Sequence, residues 1–131
     1  MLRYIKQVRG VPGDAGGWCG YYTLLKTPGR GGTPDRYLDG SKYQAITFWV
    51  RGQRGNESFV VGLVDRYWDK AGGSDLAGEI GAYLPARKVT REWQKAVIPL
   101  DRFVVDFERL ASIVFMFEGT GTVYIDSIAL E

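Results

Sequence analysis

The sequence predicts an all-β domain, an antiparallel two-sheet β-sandwich with jelly-roll connectivity. Three observations carry that prediction. Glycine, aromatic and β-branched residues are abundant together, a mixture suited to short strands and tight turns. Apolar residues alternate with period two in about eight short stretches separated by Gly, Pro, Asn and Asp. No stretch sustains the 3.6-residue period of an amphipathic helix. Alternation argues for the sheets; the jelly-roll path itself does not follow from periodicity.

Taken in order, Leu2 to Val8 (LRYIKQV) alternates loosely and reads as a strand, and Arg9 to Gly17 (RGVPGDAGG) reads as a loop. Trp18 to Lys26 (WCGYYTLLK) is a second strand, with Trp18, Gly20, Tyr22 and Leu24 opposite Cys19, Tyr21, Thr23 and Leu25. Thr27 to Lys42 is rich in Gly, Pro and Asp and reads as a long, mobile surface connector. Its Gly29 to Gly32 run (GRGG) hints at a phosphate cradle, but no Gly-Lys-Ser/Thr and no helical pattern follow it.

Tyr43 to Asp65 (YQAITFWVRGQRGNESFVVGLVD) holds the densest alternation in the chain. Ile46, Phe48 and Val50 share one face, and Thr47, Trp49 and Arg51 the other. Phe59, Val61 and Leu63 form the apolar row of the next arm. Gly52 to Asn56 between the arms supplies two glycines able to take positive φ, which predicts an antiparallel hairpin. Arg66 to Gly78 reads as a polar loop bearing Tyr67 and Trp68, and Glu79 to Leu84 as a short strand or a turn of helix. Val89 to Leu100 reads as a strand ending at Pro99, since proline cannot donate to a ladder. Asp101 to Leu110 is ambiguous, extended and then a helical turn from Asp106. Ala111 to Glu118 and Thr122 to Leu130, around Gly119-Thr120-Gly121, predict a second hairpin.

At 131 residues the chain is long enough for one domain with its own core, residues 1–131, and no linker or repeat divides it. The net charge of +2 comes from interspersed signs with no basic run, which argues against nucleic acid as a partner. No apolar run reaches membrane-spanning length, which argues against a membrane partner, and no signal segment is recognisable. A strand beginning at Leu2 points to a domain excised from a longer protein. There is no histidine, which excludes Ser-His-Asp and Cys-His catalysis and histidine zinc sites. The single cysteine, Cys19, cannot form an internal disulfide and reads as a small buried hydrophobe.

The ordered set YQAITFWVRG (43–52), ESFVVGLVD (57–65), TREWQKAVIPL (90–100) and VYIDSIAL (123–130) resembles carbohydrate-binding modules with a galactose-binding-like jelly roll. The resemblance runs from Trp18 onward, and EWQKAVIPL and YIDSIAL are its most specific parts. It implies a non-catalytic domain that binds a polysaccharide or oligosaccharide on a sheet face or in end loops. It also implies an extracellular or cell-surface setting and a tether to a glycoside-active catalytic domain. No cofactor is required. Many such modules carry a structural calcium between the first and last strands; Asp126 matches the last-strand acid, and no acidic partner is evident near the start.

Sugar rings present flat C–H faces and a rim of hydroxyls, so a binding site needs exposed aromatic plates beside planar polar groups. Trp49 and Arg51 stand two residues apart on the row opposite the expected core, and Tyr22 joins them if its strand is a neighbour. Asp65, Tyr67 and Trp68 stand at the exit of the second arm. Each has an ordinary alternative: Trp49 packed under a loop, Arg51 in a solvated ion pair, and Tyr67 and Trp68 folded back on the sheet. Trp18 and Trp93 read as packing residues. Three functions are thus weighed: a sugar-binding module, a structural or interaction sandwich without a sugar site, and a small glycan-active enzyme. The last needs two carboxylates across one cleft, and only Glu57, Asp65 and Glu118 adjoin strong strands.

Overall fold

In the computed structural model, residues 2–6, 18–118 and 121–131 are described, without side chains for Leu2 to Lys6, Trp18, Cys19 and Glu118. The loop expected at Arg9 to Gly17, the end of the first strand, the Cys19 thiol and Gly119-Thr120 lie outside the described residues.

Among the described residues, eight strands form two four-stranded antiparallel sheets. They are β1 (Leu2–Lys6), β2 (Trp18–Leu24), β3 (Ala45–Gly52), β4 (Phe59–Asp65), β5 (Asp75–Glu79), β6 (Gln94–Pro99), β7 (Leu110–Glu118) and β8 (Gly121–Leu130). One sheet has the order β1-β8-β3-β6 and the other β2-β7-β4-β5, which is the jelly-roll arrangement. A helix, α1 (Arg66–Ala71), leaves β4, and 3-10 turns occupy Ile80–Tyr83 and Leu100–Arg102.

The predicted apolar rows are the core. Ile46, Phe48 and Val50 of β3 and Phe59, Val61 and Leu63 of β4 are all buried, as are Ile113, Phe115 and Phe117 of β7. Phe48 reaches across the sandwich to meet Phe115 edge-on at 5.2 Å between ring centroids, and Phe59 meets Phe117 at 5.0 Å. Burying these rows is the main stabilising term, at about 1.5–3 kcal/mol for each large apolar side chain.

Both predicted hairpins are overturned. β3 pairs with β6 and β8, whereas β4 pairs with β5 and β7, so Tyr43 to Asp65 places one arm in each sheet. Gly55 and Asn56, both at positive φ, turn the chain over the sandwich end. There Gly52 and Asn56 donate backbone N–H groups to the carbonyls of Thr90 and Val89. β7 and β8 likewise lie in different sheets. A glycine-rich turn suits either a hairpin or an arch over the core, and the long-range partners decide between them. Among the described strands only β4 and β5 are both consecutive and paired.

Three further segments differ from expectation. Arg66 to Gly78 is not a loop but α1 followed by β5; Asp65 N-caps the helix and Gly72, at φ 80°, closes it. Val89 is buried but lies before β6, because Gln94 ties residues 86–90 into an irregular cover, accepting from the Ala86 N–H and donating to the Lys88 carbonyl. The 27–42 connector is pinned rather than loose, through backbone bridges Thr27 to Arg36 and Leu38 to Leu110.

Asp65 is itself a fold residue. It is buried, its Oδ1 accepts from the Trp68 N–H at 2.8 Å, and its Oδ2 accepts from the Asp106 N–H at 2.7 Å. Asp65→Ala strips a helix cap and orphans a second backbone donor, so it should cost about 1–3 kcal/mol in urea unfolding. A loss indistinguishable from that of an exposed substitution would remove this role.

Candidate functional site

Each sheet has one face on the core and one outward, and the aromatic residues singled out in the sequence divide between the two outer faces. On the outer face of the first sheet stand Trp49, Arg51, Lys95, Tyr124 and Asp126, because register sets Trp49 opposite both Lys95 and Asp126, and Arg51 opposite Tyr124. Trp49 is 42% exposed. The Arg51 guanidinium lies 4.2 Å from the Tyr124 ring centroid and 5.4 Å from that of Trp93. Among the described residues it makes no salt bridge but stacks on two rings, an arrangement worth about 0.5–1 kcal/mol at an exposed site.

Asp126 sits just before a bulge in β8, where Ser127 takes φ 56° and donates its N–H to the Asp126 carboxylate. Among the described residues no cluster of acidic, histidine or cysteine side chains suits a metal ion.

Tyr22 does not join Trp49. β2 belongs to the second sheet, so the two rings lie on opposite sides of the sandwich. On the second sheet one rung crosses all four strands in register: Tyr22, Val114, Gly62, Leu76. Its ends stand proud and its middle is low. Tyr22 is 56% and Leu76 47% exposed, while Gly62 and Val114 are buried. A side chain at Gly62 is excluded, since its Cβ would fall 2.6 Å from Val114 Cγ1 and 2.9 Å from Leu76 Cδ2. Val60 and Met116 continue the half-buried floor on the next rung, and exposed Leu24 extends the β2 wall. Val114 is 1% exposed and belongs to an outer core under Trp68 and Tyr37, so the apolar trough open to solvent is the strip of Tyr22, Leu24, Met116, Val60 and Leu76 beside that cover. Among the described residues no ring or cation stacks on Tyr22, so its face is available.

α1 closes one end of the trough. Trp68 packs with Tyr37 and Met116 on a small outer core of Val64, Ala111 and Val114. Tyr67 is 71% exposed and meets Trp68 edge-on at 5.7 Å. The two aromatics thus divide the roles open to them, Trp68 as a packed wall and Tyr67 as an exposed plate. Leu76, Met116 and Tyr37 were not singled out from the sequence. Alternation within VVGLVD and ASIVFMF marks outward positions, but only the register shows that they share a face with Tyr22.

The wall is held by a buried-edge charge cluster. Lys26 Nζ bonds Asp35 at 2.8 Å and Asp69 at 2.7 Å, and the Tyr37 hydroxyl donates to Asp69 at 3.1 Å. These ties clamp the 27–42 connector against α1. The Asp35 carboxylate also accepts from the Gly29 N–H, which gives the glycine run a structural task. The two carboxylates, Asp35 foremost, hold Lys26 well above the ordinary lysine range. Lys26 and then the Gly29 N–H hold Asp35 below the ordinary carboxylate range.

A depressed carboxylate contributes stability above its unfolded value, about 3.9, and loses it as pH falls through the lower folded value. The raised amine contributes below about 10.4 and loses its part only as pH rises beyond that, through the folded value. The clamp should therefore open on the acid side, below about pH 4. Hydrogen-exchange protection of the Thr27 amide, bonded to the Arg36 carbonyl, should then fall while β7 stays protected. Equal protection of both at low pH would refute the clamp.

The sequence profile of the family described as carbohydrate binding domain 30 matches residues 15–131. The chain belongs to that family. Solved structures agree with the family assignment. One family 30 carbohydrate-binding module shares 25% identity over 97% of this chain, with a TM-score of 0.67. This chain spans 64% of that structure's length. A second shares 26% identity over 99% of this chain and 75% of its own, with a TM-score of 0.68. The family 30 module of a cellulosomal cellulase of Clostridium thermocellum shares 24% identity over 99% of this chain and 73% of its own, and its TM-score of 0.69 supports the fold. No curated protein matches the chain significantly. The domain is thus a family 30 carbohydrate-binding module built as a jelly-roll sandwich.

Proposed function

We propose that this family 30 module holds a neutral polysaccharide chain along the outer trough of the second sheet, without catalysing a reaction. Tyr22 supplies the open stacking plate, Leu76 the facing wall and Tyr67 a second plate at the α1 end. The exposed Tyr22 and Leu76, set on one rung of this outer face, carry this reading, because raised apolar plates along a sheet face suit the C–H faces of an extended sugar chain. The opposite face suits it less, since Arg51 already occupies the rings of Trp93 and Tyr124.

An enzyme reading finds little support. Asp65 has both oxygens bonded to backbone N–H groups, and Glu57 accepts from the Arg54 N–H at 3.0 Å, so each serves a turn. In the parent protein the module would keep an attached glycoside-active domain on its substrate outside the cell. That role fits the cellulosomal cellulase from which a similar module was solved. Affinity electrophoresis in gels containing β-glucan, xylan or mannan tests the reading: at least one neutral polymer should retard the domain, and retardation by none would overturn it.

A further inference from the structure

Beside the trough, on the other flank of α1, lies a cleft of about 720 Å³ between the 33–37 segment, the helix and the turn at 108–109. Tyr37 lines this cleft and also packs on the trough's outer core, so the two spaces share a wall. The charged groups lining it are Asp35, Arg66, Lys70, Glu108 and Arg109. Asp35 is engaged by Lys26, and Arg109 Nη1 donates to Asp106 at 3.0 Å. Among the described residues no carboxylate pairs with Arg66 or Lys70. These two stand four residues apart on α1, on one side of the helix, and repel each other there. The Arg66 N–H bonds the Arg109 carbonyl at 2.9 Å, fixing the helix start against the turn. Glu108 is the one lining carboxylate left to oppose them.

Two uncommitted cations a helical turn apart, one of them a planar guanidinium, match the two oxygens of a carboxylate. We propose that this cleft receives the carboxylate of a uronic-acid unit on the polysaccharide that the trough holds. The inference rests on the trough reading and narrows its ligand class: the neutral backbone lies along Tyr22 and Leu76, and an acidic branch reaches past Tyr37 to Arg66 and Lys70. The preference weakens with added salt, because the pair is solvent-accessible.

Affinity electrophoresis against glucuronoxylan and the same polymer after carboxyl reduction tests it, with the Arg66→Gln/Lys70→Gln double variant run alongside. The acidic polymer should retard the domain about threefold more strongly than the reduced one, the factor a solvent-accessible ion pair supplies. The double variant should lose the difference and keep its retention by the reduced polymer. Equal retention by both polymers overturns the inference alone, as does a preference that survives in the double variant. Retention by sulfated dextran as strong as by glucuronoxylan also overturns it, showing a generic anion patch. Retention by neither polymer overturns the trough reading and this inference together. Retention by the acidic polymer alone, abolished in the double variant, keeps the cleft and overturns the trough.

Discussion

Phe115→Ala should lower the unfolding free energy by about 3–5 kcal/mol. The ring is fully buried at the centre of the sandwich, with Phe48 at 5.2 Å, Phe59 at 6.1 Å and Tyr21 at 6.3 Å around it. Its removal deletes one of the two ring contacts by which Phe48 joins the sheets and leaves a cavity that neighbours on fixed strands cannot fill. Such truncations cost about 3–5 kcal/mol, against a total of about 5–15 kcal/mol for a typical domain. Urea denaturation followed by tryptophan fluorescence measures the effect. Val104→Ala, at a residue 88% exposed, serves as the reference and should stay within about 0.5 kcal/mol of the parent. Comparable midpoints for the two variants would show that Phe115 is not the keystone described.

Tyr22→Ala should weaken retention by the neutral polymer about tenfold while leaving the melting temperature unchanged. Aromatic plates at the centre of a binding face contribute more than about 1 kcal/mol each, and about 1.4 kcal/mol is a factor of ten. The side chain is more than half exposed, so little folding energy goes with it. Trp49→Ala, on the opposite face, should leave retention unaltered. The reverse outcome, loss with Trp49→Ala and none with Tyr22→Ala, would move the sugar to the other sheet.

The buried rows were legible because period-two alternation in ITFWV and FVVGLV fixes which residues share a face, and a sandwich buries one face of each strand. The sheet to which each strand belongs was not. Gly52 to Asn56 and Gly119 to Gly121 have the composition of hairpin turns, yet β8 lies between β1 and β3, a pairing that no local signal encodes. The condition for Tyr22 to join Trp49, neighbouring strands, is therefore not met, and the core separates the two rings.

α1 is too short for a 3.6-residue pattern to register. Asp65 and Gly72 do bracket it with start and stop signals, and reading them would have turned Asp65 from a ligand group into a cap. The Lys26 cluster joins residues 9 and 43 positions apart and required the tertiary structure. Among the candidate site residues, the aromatic character of Tyr22 and Tyr67 was legible. Their partnership with Leu76 and Met116 was not, because register alone creates it.

Among the described strands, the chain changes sheet at six of its seven successive connections, β4 to β5 being the exception. Almost every ladder therefore joins strands distant in sequence, and loop-closure entropy must be met before any ladder rewards it. Neither sheet can assemble ahead of the other, because each waits for strands interleaved with its partner's. Folding on the slow side of the range for a domain of this size, and a single cooperative transition in which both sheets are lost together, follow from that weave.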